Sequence, residues 1–378
     1  MPEISLSVKK TEMILQRLQT VNFKNIKVAS LDFSEGVNCF LGLNGMGKSN
    51  LLETIHFLSL TRGFRTMSDA EFITHGMQQM FLKGEYLRDD GSSDILTAGI
   101  SYGKRKILKC NGKEYPRLAD HIGRFPVVVA EPRDSLIVTG SGDVRRRMLD
   151  MVISQADKKY LATLSVYNKA LDARNRMIRS GIKDPLLFES VEKPLGETAA
   201  VIHSAREEWV ERSIPLFSKY YARISGNHEE AKIHYRSSLN NCTLPELLEK
   251  NREKDLALGY TSAGPHRDDI EITLDGYNAR KLGSQGQIKT LTIALKFAIY
   301  DWMCVTGNET PILLLDDIFD KLDARRVGNI MDEVATSPMF NQIFVTDTNR
   351  KHLDSIITGI KGSRMFEVES GNFSQIEK

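Results

Sequence analysis

A glycine-rich segment near the start of the chain has the residue types and the spacing that bind phosphate. It matches the pattern GxxxxGK[ST] and comprises Gly42, Leu43, Asn44, Gly45, Met46, Gly47, Lys48 and Ser49. Glycines permit backbone angles that turn successive N–H groups inward, toward the phosphates of a nucleotide. We predict that Lys48 bridges the β- and γ-phosphates of ATP and that Ser49 holds Mg²⁺. The plainer alternative is a glycine turn that opens a helix.

Two predicted elements position this loop. The apolar segment Val37–Leu41 predicts a strand that runs directly into it. After the loop, Asn50–Leu60 predicts a helix, because its leucines and isoleucine recur three and four residues apart. A helix that begins at a phosphate contributes the positive end of its dipole. The order strand, loop, helix therefore favours nucleotide binding over a plain turn.

An apolar run that ends in two acids, Leu313–Asp317, has the pattern of a Walker B strand. Such a strand carries a carboxylate to the magnesium ion beside the phosphate loop. We assign Asp316 to the metal, directly or through water, and Asp317 to orienting the attacking water. Lys48 and Asp317 are thus the predicted catalytic residues, and the short Asp317 side chain predicts slow hydrolysis. The alternative is a strand that ends in a solvated acidic turn.

A third motif distinguishes between classes of P-loop NTPases. Ser284, Gly286 and Gln287 form a Ser-x-Gly-Gln sequence ahead of a predicted helix from Gln285 to about Met303. This pattern, placed before the Walker B strand, is typical of the ABC signature. Its hydroxyl and N–H groups are predicted to contact a γ-phosphate held by the loop of a second copy, so that ATP joins two chains. The alternative role of Ser284 is a helix N-cap.

The segment Asp320–Asp323 follows the Walker B strand where ABC ATPases have the D-loop, which touches the opposing site. The next predicted strand, Ile343–Val345, leads to Asp347. ABC transporters have a switch histidine at this last position, and this chain has none there. We interpret the nearby His352 as a surface residue.

The composition is that of an ordinary soluble globular protein, with 41% hydrophobic and 26% charged residues in 378. A formal charge of +2 neither requires nor excludes a nucleic-acid partner. The four cysteines show no CxxC pair, which favours a reducing cytoplasm over a disulfide framework or a zinc site. No apolar run approaches the roughly 20 residues of a membrane span, and residues 1–12 are expected to be a flexible leader.

These patterns predict an α/β P-loop NTPase of the ABC type, divided by a mainly helical insertion. Residues 13–125 are assigned to the first part of the ATPase lobe, with a first strand at Leu15–Phe23. Residues 126–260 are assigned to a mainly helical inserted lobe, because Val144–Ile224 has helical, charge-rich periodicity. Residues 261–378 are assigned to the segment that carries the signature, Walker B and D-loop motifs and completes the core.

Basic residues offer candidate phosphate contacts for DNA. They are Arg62 and Arg65 after the first helix, the run Lys104, Arg105 and Lys106, and the run Arg145–Arg147. Phosphate contacts need only flexible cations, so the signal has little specificity. The alternatives are a solvated charged face or, for Arg145–Arg147, pairing within the helical insert.

From residue 13 onward the chain resembles the RecF family of ABC/SMC-head ATPases. The segments that carry the resemblance are Leu18–Asn25, Thr61–Arg65, Pro132–Leu136, Gly140–Asp150, Gly264–Asp269 and Ser284–Gln287. Gly264–Asp269, which reads GPHRDD, is the most distinctive of them. The chain departs from the family at Gly142, where proline is usual, at Met148, where an aromatic residue is common, and in the D-loop at Asp320 and Lys321.

The resemblance implies a compact fold like the Rad50 head, without its long coiled coil. It implies an ATP- and Mg²⁺-dependent homodimer with slow, DNA-stimulated ATPase activity that binds single-strand/double-strand junctions at gaps. The implied partners are RecR and RecO, which help load RecA. Two other classes remain as alternatives, the ATP-binding subunit of a transporter and an ATP-gated nuclease head. The missing switch histidine argues against the first.

His266 and Arg267 lie in the most distinctive segment and allow two interpretations. In one, they relay the nucleotide state to DNA or to the facing subunit. In the other, they belong to a turn fixed by Pro265, with Arg267 paired to Asp268 or Asp269.

Overall fold

The computed structural model describes residues 12–65, 68–182, 184–337, 339–358, 360 and 362–376. The chain divides into two compact units, Met1–Pro132 with Met303–Lys378 and Arg133–Trp302. The leader predicted at the N-terminus lies outside the described residues, apart from Glu12.

The helices and strands follow one another in three stretches of chain. The first contains β1 (Met13–Phe23), β2 (Ile26–Asp32), β3 (Val37–Leu41), α1 (Lys48–Leu60), β4 (Gln79–Arg88), β5 (Ser93–Ser101), β6 (Ile107–Cys110), β7 (Lys113–Glu114) and β8 (Val127–Ala130). The second contains α2 (Ser135–Thr139), α3 (Gly142–Ala156), α4 (Lys158–Arg179), α5 (Pro185–Ser225), β9 (Ala231–Arg236), α6 (Leu244–Lys250), α7 (Arg252–Leu258), β10 (Asp269–Leu274), β11 (Tyr277–Asn278), α8 (Ala279–Leu282) and α9 (Gln285–Thr306). The third contains β12 (Ile312–Asp316), α10 (Ala324–Thr336), β13 (Ile343–Asp347), α11 (Arg350–Thr358), β14 (Arg364–Glu369) and β15 (Asn372–Ile376).

The central sheet of the first unit has the strand order β15-β14-β3-β13-β12-β8. Every neighbouring pair is parallel except β14 with β15. The inner strands are continuous apolar runs with both faces buried, as a parallel sheet requires. Because the strands run in one direction, their carboxyl ends meet at one edge, which is where open α/β sheets bind ligands.

A second sheet of the first unit is antiparallel, with the order β2-β1-β4-β5-β6-β7. Its strands β4 and β5 alternate buried and exposed side chains, which is the pattern of a sheet with one face on the core. The β1–β2 turn at Lys24 and Asn25 lies beside the phosphate-binding loop, as the contacts below show.

The second unit contains the long helices that the sequence predicted. The helical stretch Val144–Ile224 is confirmed as α3, α4 and α5. Among the described residues, a short antiparallel sheet of order β11-β10-β9 accompanies them. Their apolar faces pack around large buried side chains such as Trp209, Phe217 and Tyr221.

The boundaries of the predicted inserted lobe differ from those of the second unit. The prediction began the lobe at residue 126, but Val127–Ala130 forms β8, which pairs with the Walker B strand β12 in the first unit. The prediction ended it at residue 260, but the unit extends to Trp302 and includes the signature segment. The hydrogen bonds of β8 with a distant strand explain the first difference, since they cannot be read from local periodicity.

The sequence also missed the last two strands. We predicted no strand after Ile343–Val345, yet β14 pairs in parallel with β3 and β15 completes the sheet. The β14 side chains do not alternate regularly between buried and exposed, which explains why the pattern gave no strand signal.

Candidate nucleotide and metal site

The phosphate-binding loop connects β3 to α1 at the carboxyl edge of the central sheet. Gly45 and Gly47 have positive φ angles of 82° and 117°, which L side chains rarely adopt. A Cβ atom on Gly42 would lie 2.4 Å from the Val368 carbonyl oxygen of β14. Glycine is therefore required at Gly45 and Gly47 by the backbone angle and at Gly42 by close packing.

Two turns from distant parts of the first unit support the loop. The Gly371 N–H, in the β14–β15 turn, donates to the Met46 carbonyl oxygen at 2.7 Å. The Asn25 amide of the β1–β2 turn lies 3.4 Å from the Gly45 carbonyl oxygen and accepts a hydrogen bond from Asn50 at 2.8 Å. These contacts hold the loop from both sides.

The Lys48 side chain is almost wholly buried within this loop. Its ammonium group donates to the carbonyl oxygens of Gly42 at 2.7 Å and Leu43 at 3.1 Å. The two carbonyls hold the positive charge at the centre of the loop, where phosphate oxygens would be stronger partners. This geometry fits the predicted role of Lys48.

Asp316 lies at the end of β12 and is fully buried. Its Oδ1 atom accepts hydrogen bonds from the Ser49 and Thr346 hydroxyls, both at 2.8 Å. The parallel register of β12 and β13 places Thr346 directly opposite Asp316. The Walker B carboxylate and the P-loop serine thus meet, as the sequence predicted.

A magnesium ion fits these donors when phosphate supplies the remainder. Among the described residues, no group of three or more His, Cys, Asp or Glu side chains is placed to hold a metal ion. Mg²⁺ in nucleotide sites usually takes one or two protein oxygens, substrate phosphates and waters. Ser49 and Asp316 supply such oxygens, so the ion would bind together with the nucleotide.

Asp317 follows the metal site with a left-handed backbone conformation, at φ 46°. Its N–H donates to the Thr346 hydroxyl at 3.0 Å. Burial raises the pKa of its carboxyl group, the charge of Lys48 opposes the shift, and the neighbouring carboxylates Asp316 and Asp347 add to it. A carboxylate with a raised pKa is a stronger base toward an attacking water, which suits the predicted role.

Arg65 lies beside Asp316 at the candidate metal site and not on an exposed basic surface. Its Nη2 atom donates to Asp316 Oδ2 at 2.5 Å, and its Nε atom donates to Glu131 at 3.0 Å. Its backbone N–H donates to Glu53 at 3.1 Å. The prediction of a DNA contact at Arg65 is therefore corrected, because its charge is already engaged by buried carboxylates.

The other predicted DNA contacts separate into two groups. Arg62, Lys104 and Arg105 are exposed. Lys106 is partly buried and donates to Asp69 at 2.9 Å and to the Thr61 carbonyl oxygen at 2.7 Å, so it is corrected to a structural residue.

The arginines of α3 pair within the second unit. Arg145 donates to both carboxylate oxygens of Asp269, at 2.5 and 2.9 Å, and Arg146 donates to the Asp268 carbonyl oxygen at 2.6 Å. Arg147 forms an exposed ion pair with Asp143 at 2.6 Å. The three arginines thus pair inside the second unit, although Asp268 and Asp269 lie beyond the predicted bounds of the insert.

The signature segment opens α9 on the surface of the second unit. The Ser284 N–H donates to the Gln287 side chain at 2.8 Å, and the Gln287 N–H donates to the Ser284 hydroxyl at 3.3 Å. These reciprocal bonds form a capping box, so the N-cap alternative is confirmed for Ser284. The capped helix end and exposed hydroxyl remain compatible with a phosphate ligand.

His352 is not the surface residue that the sequence suggested. Its Nδ1 atom lies 2.7 Å from Asp347 Oδ2, and its ring meets Phe319 edge-on at 5.4 Å. The side chain is 28% exposed. The interpretation was wrong because α11 folds back onto the end of β13, a contact that local spacing does not reveal.

The Gly264–Asp269 segment follows the structural interpretation, but with different partners. His266 contacts the Tyr167 hydroxyl at 2.7 Å and the Thr261 carbonyl oxygen at 2.9 Å. Burial lowers the pKa of His266 to about 4. Arg267 stacks on the Tyr260 ring at 4.7 Å.

The predicted pairing of Arg267 with an adjacent aspartate is wrong. Buried Arg206 lies 3.3 Å from Asp268, and Arg145 binds Asp269. Arginines from the long helices reach these two carboxylates, whereas the Arg267 side chain turns to the Tyr260 ring instead.

Three residues of the site were missed by sequence reasoning. Thr346 directly follows the apolar run Ile343–Val345, and Glu131 directly follows the apolar run Val127–Ala130. Asp316 follows an apolar run in the same way. That shared pattern was a usable signal. Glu53 lies within α1 and is fully buried, so only tertiary contacts mark it.

Comparison with known proteins places this geometry in a family. The model of the RecF/RecN/SMC N-terminal domain matches residues 14–371. The DNA replication and repair protein RecF of Porphyromonas gingivalis is 44% identical over 365 residues, which cover 96% of this chain and 100% of the relative. The chain belongs to the RecF family. A second RecF, from Parabacteroides distasonis, is 43% identical and covers 97% and 100% of the two chains.

Solved structures agree with this family assignment. The recombination mediator protein RecF-ATP of the RecFOR pathway superposes with a TM-score of 0.85 at 31% identity, over 97% of this chain and 100% of that one. An Smc head domain from Pyrococcus furiosus has a TM-score of 0.61 at 18% identity, which indicates a shared fold. The predicted ABC/SMC-type α/β fold is confirmed. No helix among the described residues has the length and apolarity needed to cross a bilayer.

Proposed function

We propose that this RecF-family chain is an ATP-dependent, dimerising DNA-binding protein of recombinational repair and replication restart. The observation that carries the proposal is the meeting of Ser49, Asp316 and Lys48 at the edge of the central sheet. That arrangement supplies a phosphate cradle, a metal ligand and a positive charge in one place. ATP and Mg²⁺ are the cofactors, and slow hydrolysis acts as a conformational switch.

Exposed apolar side chains support dimerisation on ATP. Leu43, in the phosphate-binding loop, is 71% exposed, and Leu282, just before the signature segment, is 69% exposed. Each lies beside a polar segment that would contact nucleotide. In a dimer, the Ser284, Gly286 and Gln287 segment of one copy caps the γ-phosphate in the loop of the other, and both leucines lose solvent contact.

DNA binding in this proposal uses the cations that remain exposed. Arg62, Lys104 and Arg105 are the candidates, and they suit phosphate contacts more than base reading. Single-strand/double-strand junctions at gaps are the proposed substrate. RecR and RecO are the proposed partners, acting with this protein in the cytoplasm to load RecA; the RecFOR pathway named for the related structure supports this assignment.

Sizing the protein with and without ATP while titrating gapped DNA tests the proposal. The wild type should form dimers with ATP and retain gapped DNA. Lys48→Ala should lose both properties, because it loses the nucleotide, and Ser284→Arg should bind nucleotide but remain monomeric. A wild-type protein that stays monomeric with ATP and ignores gapped DNA would overturn the proposal.

A further inference from the structure

The charge of Asp316 is balanced by an arginine. Asp316 is 0% exposed, and an unpaired carboxylate at such a site costs several kcal/mol. Its Oδ1 atom already accepts the Ser49 and Thr346 hydroxyls. Its Oδ2 atom accepts the Arg65 guanidinium at 2.5 Å. Both carboxylate oxygens are thus occupied.

Magnesium would compete with Arg65 for the Asp316 carboxylate. A metal ion, or a water of its coordination shell, requires a lone pair of the Asp316 carboxylate. The hydroxyl of Ser49 is itself a proposed ligand and would turn toward the ion. A guanidinium and a second cation on the same carboxylate repel each other at this distance, so each weakens the binding of the other to Asp316.

Arg65 can release Asp316 without losing every partner. Its Nε atom donates to Glu131, which is 7% exposed, and its backbone N–H is held by Glu53. A change of side-chain torsion would move Nη2 away while the bond to Glu131 persists. The backbone of this segment packs closely against α1, because Gly63 approaches Glu53 and Phe72. A Cβ atom on Gly63 would lie only 2.2 Å from the Glu53 carboxylate.

We propose that Arg65 is the counter-ion of Asp316 in the nucleotide-free protein and that magnesium displaces it when the nucleotide binds. The inference rests on the proposed nucleotide site. It makes Arg65 a competitor of the metal, so the Asp316 carboxylate stays paired without nucleotide and binds free Mg²⁺ weakly. Metal and nucleotide then enter together.

Calorimetric titration of the protein with ADP tests the inference without hydrolysis. The titration is done once in Mg²⁺ and once in EDTA. The measured quantity is the factor by which Mg²⁺ tightens ADP binding. In Arg65→Gln the competitor is gone, and this factor should rise about tenfold, the change that 1.4 kcal/mol produces. Arg65→Lys, with one charged donor in place of a planar fork, should show a smaller rise.

Arg117→Gln is the matched control, because Arg117 is an exposed, ion-paired arginine of the same unit. Its factor should equal that of the wild type. An unchanged or smaller factor in both Arg65 variants would overturn the inference. If Arg65 only bound phosphate, its removal would weaken ADP binding equally with and without Mg²⁺, and the factor would not change. A wild type that binds no ADP would instead defeat the proposed function.

Discussion

Asp317 combines a strained backbone with a raised carboxyl pKa beside the metal site. Both features suit a group that must accept a proton from water. We expect Asp317→Asn to lower the rate of ATP hydrolysis by about a hundredfold or more while nucleotide affinity changes little. Asparagine tolerates the left-handed backbone and keeps the N–H bond to Thr346, so the fold should be preserved.

Steady-state phosphate release and ADP calorimetry check this expectation. Asp354→Asn, at an exposed ion pair of α11, is the control and should hydrolyse ATP at the wild-type rate. Wild-type turnover in Asp317→Asn would assign the base to another residue.

His266 gives a prediction about pH. Its pKa of about 4 lies below the ordinary value of 6.5 because the neutral ring is buried. Between these values the unfolded chain binds a proton that the folded chain does not, so stability should fall as pH decreases from 6.5 toward 4. Above pH 6.5 the ring is neutral in both states and contributes no slope.

Thermal unfolding of His266→Gln between pH 7.5 and 5 measures this contribution. The variant should lose less stability than the wild type over that interval, by roughly 1–2 kcal/mol. His75→Gln, at an exposed histidine, should retain the wild-type slope. Identical slopes in all three proteins would contradict the buried neutral ring.

At the scale of elements, the β14–β15 turn supports the phosphate-binding loop. Gly371 has φ 81°, and a Cβ atom on it would lie 2.3 Å from the Asn25 carbonyl oxygen. Gly371→Ala must displace the turn that donates to Met46. We expect a loss of about 2–3 kcal/mol in stability and weaker ADP binding, because left-handed strain adds to a steric clash.

Gly91→Ala is a closely matched comparison. Gly91 has φ 82°, but a Cβ atom there meets nothing within 4 Å. It should lose only the 1–2 kcal/mol of backbone strain and bind ADP normally. Denaturant unfolding of both variants measures the loss of stability, to which backbone strain contributes in each. ADP calorimetry then shows whether the Gly371 variant also loses support of the phosphate-binding loop. Equal ADP affinities in the two variants would contradict the proposal that the β14–β15 turn supports the phosphate-binding loop.

At the scale of the whole molecule, the proposed dimer makes a prediction about mixtures. Lys48→Ala lacks a working loop but keeps Ser284, and Ser284→Arg has the reverse defect. Each alone should remain monomeric with ATP. When the two variants are mixed, the Ser284→Arg copy supplies an intact phosphate-binding loop and the Lys48→Ala copy supplies an intact Ser284. The mixed dimer therefore has one complete site, so ATP-dependent dimers should reappear and should be weaker than those of the wild type.

Sedimentation with ATP checks this, with each variant at the total concentration of the mixture. Hydrolysis in the mixture should reach at most half the wild-type rate, since one site of two is complete. Dimers of Lys48→Ala alone, or none in the mixture, would contradict the shared site.

The sequence by itself determined the motifs of the candidate nucleotide site. The P-loop, the Walker B acids, the long helices and the RecF resemblance are local patterns, since glycine spacing and apolar periodicity reflect backbone geometry directly. The positions of Lys48, Ser49 and Asp316 followed from those patterns. The family comparison then confirmed the fold that they predicted.

Only the tertiary structure decided which charges are engaged. Arg65 resembled a DNA contact until its guanidinium was found on Asp316, and β8 resembled part of a helical lobe until it paired with β12. Arg206 and Arg145, not the adjacent Arg267, bind the two aspartates of the GPHRDD segment. Ion pairs and sheet neighbours join residues that are far apart in the chain, and local spacing carries no information about them.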